Sequence, residues 1–121
     1  MKRKITKLSH YVNILYLPTL RNASIQYQKA LHYFEQEEWA IALKEYEKYI
    51  KDYNTIDWDS YFEAGICRFH VAKCKQEEDK GYLVDYKKSL WYLQKTVSKK
   101  PRNKRYADAL SEVKQWVKSI D

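Results

Sequence analysis

"HYFEQEEWAIALKEYEKYIKDYN", residues 32–54, decides how the rest of the chain is read. Trp39, Ala42, Leu43, Tyr46, Tyr49 and Ile50 recur at three- and four-residue intervals, the spacing that gathers side chains on one side of an α-helix. The polar "EQEE" before this stripe separates it from a preceding helix, whose broad apolar face is Ile25, Tyr27, Ala30, Leu31, Tyr33 and Phe34. Two amphipathic helices with a short break between them predict a helical hairpin.

The pattern continues in both directions. Upstream, Ile5, Leu8, Val12 and Leu15 form one helical stripe, which Pro18 is expected to end, because its ring removes a backbone donor and clashes with the preceding turn. The next helix is then expected to begin near Asn22 or Ala23. Downstream, Asp57 is placed to accept from the free amides of a helix start. The helix it opens carries Tyr61, Phe62, Gly65, Ile66, Phe69, Val71 and Ala72, and runs out in "KCKQEEDKG". Val84, Tyr86, Leu90, Leu93 and Val97 mark a further helix, punctuated by "SKKPRN". Asn103 is expected to cap the last one, where Tyr106, Ala109, Leu110, Val113, Trp116, Val117 and Ile120 share a face. No strand-like alternation competes, so the predicted fold is all-α. With 121 residues and only two Gly and two Pro, it reads as one domain of long helices and short connections.

Aligned on itself, the chain shows two related helix–turn–helix units. Small residues stand at Ala30 and Gly65, an aromatic follows at Tyr33, and Trp39 and Tyr86 sit near the start of the second helices. Small residues return at Ala42 and Ser89, then large apolar ones at Leu43, Tyr46, Leu90 and Leu93, with Pro101 closing the second unit. In these positions residues 23–101 resemble the tetratricopeptide repeat, a helical hairpin of about 34 residues. Lys29, Glu37 and Asn54 depart from that family's apolar residue, turn glycine and proline. The second unit also carries about 12 extra residues through "KCKQEEDKGYLV". On this reading residues 1–22 are a basic N-terminal helix or arm, 23–54 the first hairpin, 57–101 the second with an extended turn, and 103–121 a capping helix. An irregular bundle of five or six helices satisfies the same periodicities.

The net charge of +7 is uneven. Residues 1–24 hold five bases and no acid, residues 25–60 four bases and eight acids, and residues 61–121 fourteen bases and eight acids. Attraction to nucleic acid, anionic lipid or an acidic protein follows equally from such a balance. Its densest run is "KTVSKKPRNKR", with Lys95, Lys99, Lys100, Arg102, Lys104 and Arg105. These could grip phosphates while Trp91 or Tyr106 stacks on bases, or simply end one helix and begin another. Lys2, Arg3, Lys4 and Lys7 could likewise lay the first helix on an anionic membrane, although packing against the array is the simpler expectation.

No apolar run reaches the length of a transmembrane helix. His10, Asn13, Pro18 and Arg21 interrupt any secretory core near the start, so a signal peptide is not expected; the lack of acids before Glu35 leaves an organelle transit peptide open. Cys67 and Cys74 lie seven residues apart on a helical pattern, about 10 Å between Cα atoms and beyond the reach of a disulfide. A reducing, cytoplasmic setting is expected.

Catalytic chemistry finds little support. "CRFHVAKC" puts Cys67, His70 and Cys74 on one helix face, but a straight helix cannot bring both thiolates to one ion at about 2.3 Å, so these read as thiols packed against a neighbouring helix. The carboxylates Glu35, Glu37 and Glu38, and Glu77, Glu78 and Asp79, fall at polar helix ends. No serine stands in a nucleophile elbow, and two glycines make no phosphate-cradling loop. Neither enzyme activity, nor metal, nor cofactor is expected.

By the repeat resemblance, the first helix of each unit lines a concave groove that takes an extended or helical peptide. Tyr27, Leu31 and Phe34, then Phe62, Ile66, Phe69 and His70, would be its groove residues. Such a groove would suit an apolar peptide or amphipathic helix, with basic rims drawing in an acidic partner, unless the N-terminal helix fills it. The expected role is thus a non-enzymatic protein-binding module: an adaptor, a chaperone-like protein or a regulatory subunit. A basic nucleic-acid binder using Lys95 to Arg105 is the first alternative, and a membrane-surface or secretion-linked component using residues 1–16 the second. Two repeats are few for a solenoid, so self-association through an uncapped end is also anticipated.

Overall fold

The structure, a computed structural model, describes residues 17–53, 57–78 and 80–120. It is all-α: α1 spans Leu17–Glu35, α2 Trp39–Tyr53, α3 Trp58–Glu77, α4 Leu83–Lys99 and α5 Lys104–Ile120. No strand occurs among the described residues. The stripe over Ile5 to Leu15 lies outside them.

The helix expected to begin near Asn22 or Ala23 begins earlier, at Leu17, with Pro18 in its first turn. Amides there have no intrahelical acceptor, so a residue without an N–H loses nothing. The break between α1 and α2 is correspondingly short. Glu38 N donates to Tyr33 O (2.9 Å) and Glu37 N to Phe34 O (3.0 Å), the paired bonds of a Schellman ending. That ending demands a left-handed residue, and Glu37 adopts it with φ 60°. Glu37 therefore stands where the repeat family places glycine and accepts the strain that glycine would avoid.

The expected caps are present. Asp57 accepts from Asp59 N (3.2 Å) at the start of α3, and Asn103 Oδ1 accepts from Tyr106 N (3.1 Å) at the start of α5. The extra residues of the second unit do not form a long loop. Five of them extend α3 to Glu77 and two open α4, because "KCKQE" consists of good helix formers apart from its cysteine.

Each helix packs against the next, and α3 also touches α1 and α5. Two cores result, with α3 contributing to both. The first gathers Ala23, Tyr27, Ala30, Ala42, Leu43, Tyr46 and Tyr49 with Ala64 and Cys67 of α3. The second gathers Phe62 and Phe69 of α3 with Leu93, Tyr106, Ala109 and Val113. Packing on opposite sides explains why α3 shows a wide apolar surface in sequence instead of one narrow stripe.

The small residues do what their spacing implies. A Cβ on Gly65 would lie 2.9 Å from Leu93 Cδ2 and 3.1 Å from Tyr92 Cβ, so α4 approaches α3 too closely for a larger side chain. Ser89 marks the same crossing and donates to Gly65 O (2.8 Å). In the first core, Ala30 and Ala42 are completely buried. Cys67 is a buried free thiol, as expected, but Cys74 is a free thiol exposed to solvent, not a packed one.

Candidate functional site

Two buried polar clusters fix the helices that carry the exposed surfaces. In the first, Arg68 of α3 donates from Nη2 to Glu47 Oε2 and Oε1 (2.8 and 3.0 Å) and from Nη1 to Asp85 Oδ1 (2.6 Å). Lys75 Nζ donates to Asp85 Oδ2 (2.6 Å) and Tyr92 OH to Glu47 Oε2 (2.9 Å). Asp85 is only 1% exposed. Burial alone would raise its pKa, but the hydrogen bonds and charges of Lys75 and Arg68 outweigh this and hold it below the usual carboxylate range. The cluster ties α2, α3 and α4 together at a charged, two-cation site.

The second cluster centres on Glu63 of α3. Tyr27 OH of α1 donates to its Oε1 (2.9 Å). The Tyr46 hydroxyl of α2 is buried there too, outside hydrogen-bond geometry yet near enough to favour the carboxylate. Burial dominates, pushing Glu63 up to about 7, with the tyrosines opposing the shift. Burial and the Glu63 charge in turn raise Tyr27 and Tyr46 well above ordinary tyrosines. A nearly buried carboxyl between two phenols joins three helices.

The residues expected to line a groove divide. Tyr27 is packed on Tyr46 and Tyr49, with ring centroids 6.0 and 5.5 Å away. Phe62 is stacked under Tyr106 at 4.8 Å, and Phe69 meets Trp116 edge-on at 5.5 Å. These three are core residues: α5 covers the face of α3 that bears Phe62 and Phe69. Leu31 and Phe34 pack at the edge of the first core and Ile66 at the edge of the second. Phe34 and His70 do come together, through Trp39. Phe34 meets Trp39 at 5.3 Å, and Trp39 lies flat on the His70 ring, 3.9 Å apart and 6° from parallel.

From His70 the contacts continue. His70 touches Phe69 at 5.6 Å, Phe69 touches Trp116, and Trp116 touches Tyr82 at 5.7 Å and Tyr86 at 6.2 Å. Phe34, Trp39, His70, Tyr82, Tyr86 and Trp116 are all partly exposed. They make an aromatic belt across the C-terminal ends of α1, α3 and α5 and the N-terminal ends of α2 and α4. Burial first, and the Lys73 charge second, lower His70 to about 4, so at neutral pH the belt carries no imidazolium. Beside it opens a concavity of about 310 Å³, floored by Trp39, Ile41, His70, Val71 and Cys74 and rimmed by Glu37, Glu38, Lys75 and Glu78. Ile41 is 43% exposed there. The rim is mainly acidic, which favours basic flanks on a partner and replaces the basic rim expected from sequence.

The basic run lies elsewhere. Lys95 Nζ sits 5.7 Å from the Trp91 ring centre, Lys99 Nζ 5.9 Å from that of Trp58, and the Arg105 guanidinium 4.6 Å from that of Phe62. Lys104 pairs with Asp108 (3.1 Å), while Lys100 and Arg102 are exposed. Of the two rings expected to stack on bases, Tyr106 is buried, its hydroxyl donating to Asp59 Oδ1. Trp91 is 51% exposed.

Among the described residues, no group of three or more His, Cys, Asp or Glu side chains is placed to hold a metal ion. None of their helices is long and apolar enough to cross a membrane. The basic segment Lys2 to Lys7 falls outside them, so neither filling of a groove nor membrane attachment by it enters this geometry. Sequence reasoning assigned Trp39 to the first hairpin and Trp116 to the capping helix. Their union through His70 and Phe69 is a contact between residues far apart in the chain, which periodicity does not report. Compared with protein-family models, curated proteins and solved structures, the chain gives no match.

Proposed function

We propose that the protein is a non-enzymatic protein–protein interaction module, an adaptor, chaperone-like protein or regulatory subunit that receives a helical or extended apolar segment of a partner on the aromatic belt. The observation that carries this reading is the row of partly exposed rings Phe34, Trp39, His70, Trp116 and Tyr82, in which the buried Phe69 ring links His70 to Trp116. Rings locked in mutual contact are rigid anchors, and little side-chain entropy is lost when they bind. The neutral, stacked His70 keeps this surface apolar, while Glu37, Glu38 and Glu78 beside the concavity add preference for basic flanking residues.

A tetratricopeptide-like array is the architecture we propose behind it. It is supported by the close crossing at Gly65 and Ser89, the buried pair Ala30 and Ala42, and the way α3 touches both α1 and α5. Selection of displayed random peptides on the purified chain tests the function. Enriched sequences should carry apolar anchors at helical spacing with Lys or Arg beside them, and Ile41→Asp, at an exposed position, should abolish their binding without changing the circular dichroism. Peptides with no apolar anchor, or equal binding by Ile41→Asp, would contradict the assignment.

A further inference from the structure

The outward face of α4 is chemically unlike the belt. Lys87, Lys88, Trp91 and Lys95 project from it and are all exposed. Lys99, one turn on, reaches over Trp58. The only acid in α4 is Asp85, which is buried and already held by Arg68 and Lys75. No further Asp or Glu occurs before Asp108. Lysines therefore flank Trp91 by one helical turn on each side, about 6 Å away along the axis, and none of them is ion-paired among the described residues.

The indole at the centre is supported from below. Tyr61 lies against Trp91 with centroids 6.2 Å apart, and Trp58 packs on Tyr61 at 5.2 Å. Trp91 is thus positioned by a short aromatic ladder and by Tyr92 edge-on at 5.3 Å, yet half of it remains exposed, with the Lys95 ammonium near its ring.

We propose that this face of α4 is a binding site for single-stranded nucleic acid: a base stacks on Trp91, Lys95 leaves the ring for a phosphate, and Lys87, Lys88 and Lys99 hold neighbouring phosphates. Single strands offer what the face requires, an unpaired π-surface beside regularly spaced negative charges. Duplexes keep their base faces inside the stack. Acidic peptides would use the lysines and leave the indole uncovered. Anionic membranes demand apolar and cationic residues on separate faces, whereas here Val84, Lys88, Trp91 and Lys95 alternate along one stripe. The site does not depend on the belt, because Trp58 and His70 are about 18 Å apart along α3.

Fluorescence anisotropy of the full chain with a labelled oligothymidylate of about 12 nucleotides tests it. Binding should weaken with salt along a log–log slope near −3, the value for about four phosphate contacts to a single strand. Trp91→Ala should weaken binding about tenfold or more, Trp91→Phe should retain most of it, and Lys95→Ala should reduce the slope by about 0.7. Absence of binding at low salt, equal binding by Trp91→Ala, or tighter Trp91-dependent binding of polyglutamate, duplex DNA or phosphatidylserine vesicles would overturn the proposal.

Discussion

The chain's four tryptophans form two pairs in opposite settings. Trp39 and Trp116 belong to the belt, joined through His70 and Phe69, with a neutral imidazole and exposed Ile41 as companions. Trp58 and Trp91 are joined through Tyr61, and each lies under a lysine ammonium. On the two proposals, similar rings would serve two kinds of recognition, and the difference lies in their neighbours. An apolar anchor needs its charges removed to the rim; a stacking platform for an anion needs them next to the ring.

Arg68 holds both settings in place, so breaking it should have the largest effect. Arg68→Ala would leave buried Asp85 with Lys75 alone and Glu47 with Tyr92 alone, and should cost about 2–3 kcal/mol in chemical denaturation, since a broken buried ion pair strands its partner. Both binding activities should weaken together, because α2, α3 and α4 lose their common tie.

Glu63→Gln separates packing from charge. In the unfolded chain the carboxyl ionises near 4.5, and burial raises this to about 7 in the fold. The folded state therefore binds the proton more tightly, and the stability this gives below pH 4.5 is lost as pH rises through 7. Glutamine stays neutral, so the variant should exceed wild type by about 1–2 kcal/mol at pH 8 and match it near pH 4.5. His70 acts in the opposite direction: held at about 4 against 6.5 when unfolded, it lowers stability as pH falls from 6.5 towards 4. Thermal melts of both proteins across pH 4–8 resolve the two slopes.

Glu37→Gly sharpens the belt side. Glycine accepts the left-handed φ of 60° without the Cβ penalty, so the variant should gain about 1 kcal/mol in denaturant unfolding despite glycine's greater freedom when unfolded. Trp91→Ala should be the mildest in stability, within about 0.5 kcal/mol, which makes it a clean probe of binding.

Much of the fold was legible. The stripes over Trp39 to Ile50 and Tyr106 to Ile120 became α2 and α5, Asp57 and Asn103 cap as their side chains allow, and Gly65 sits where a helix crosses closely. The start of α1 was placed too late because a proline expected to stop one helix is equally suited to open another. The site was less legible. Helical periodicity marks Tyr27, Phe62 and Phe69 as apolar but does not tell a groove from a core; only the position of α5 over α3, and of Tyr46 and Tyr49 against Tyr27, decides that. Trp91 was visible as an aromatic near a basic run, while its exposure depended on which turn of α4 faces α3.

The indole N–H signals of Trp39, Trp58, Trp91 and Trp116 in one ¹⁵N spectrum test the two-face account most directly. A selected amphipathic peptide should shift Trp39 and Trp116 and leave Trp58 and Trp91 in place, and oligothymidylate should do the reverse. If both ligands move the same pair, or the peptide moves Trp91, the division into an apolar belt and a cationic platform is contradicted.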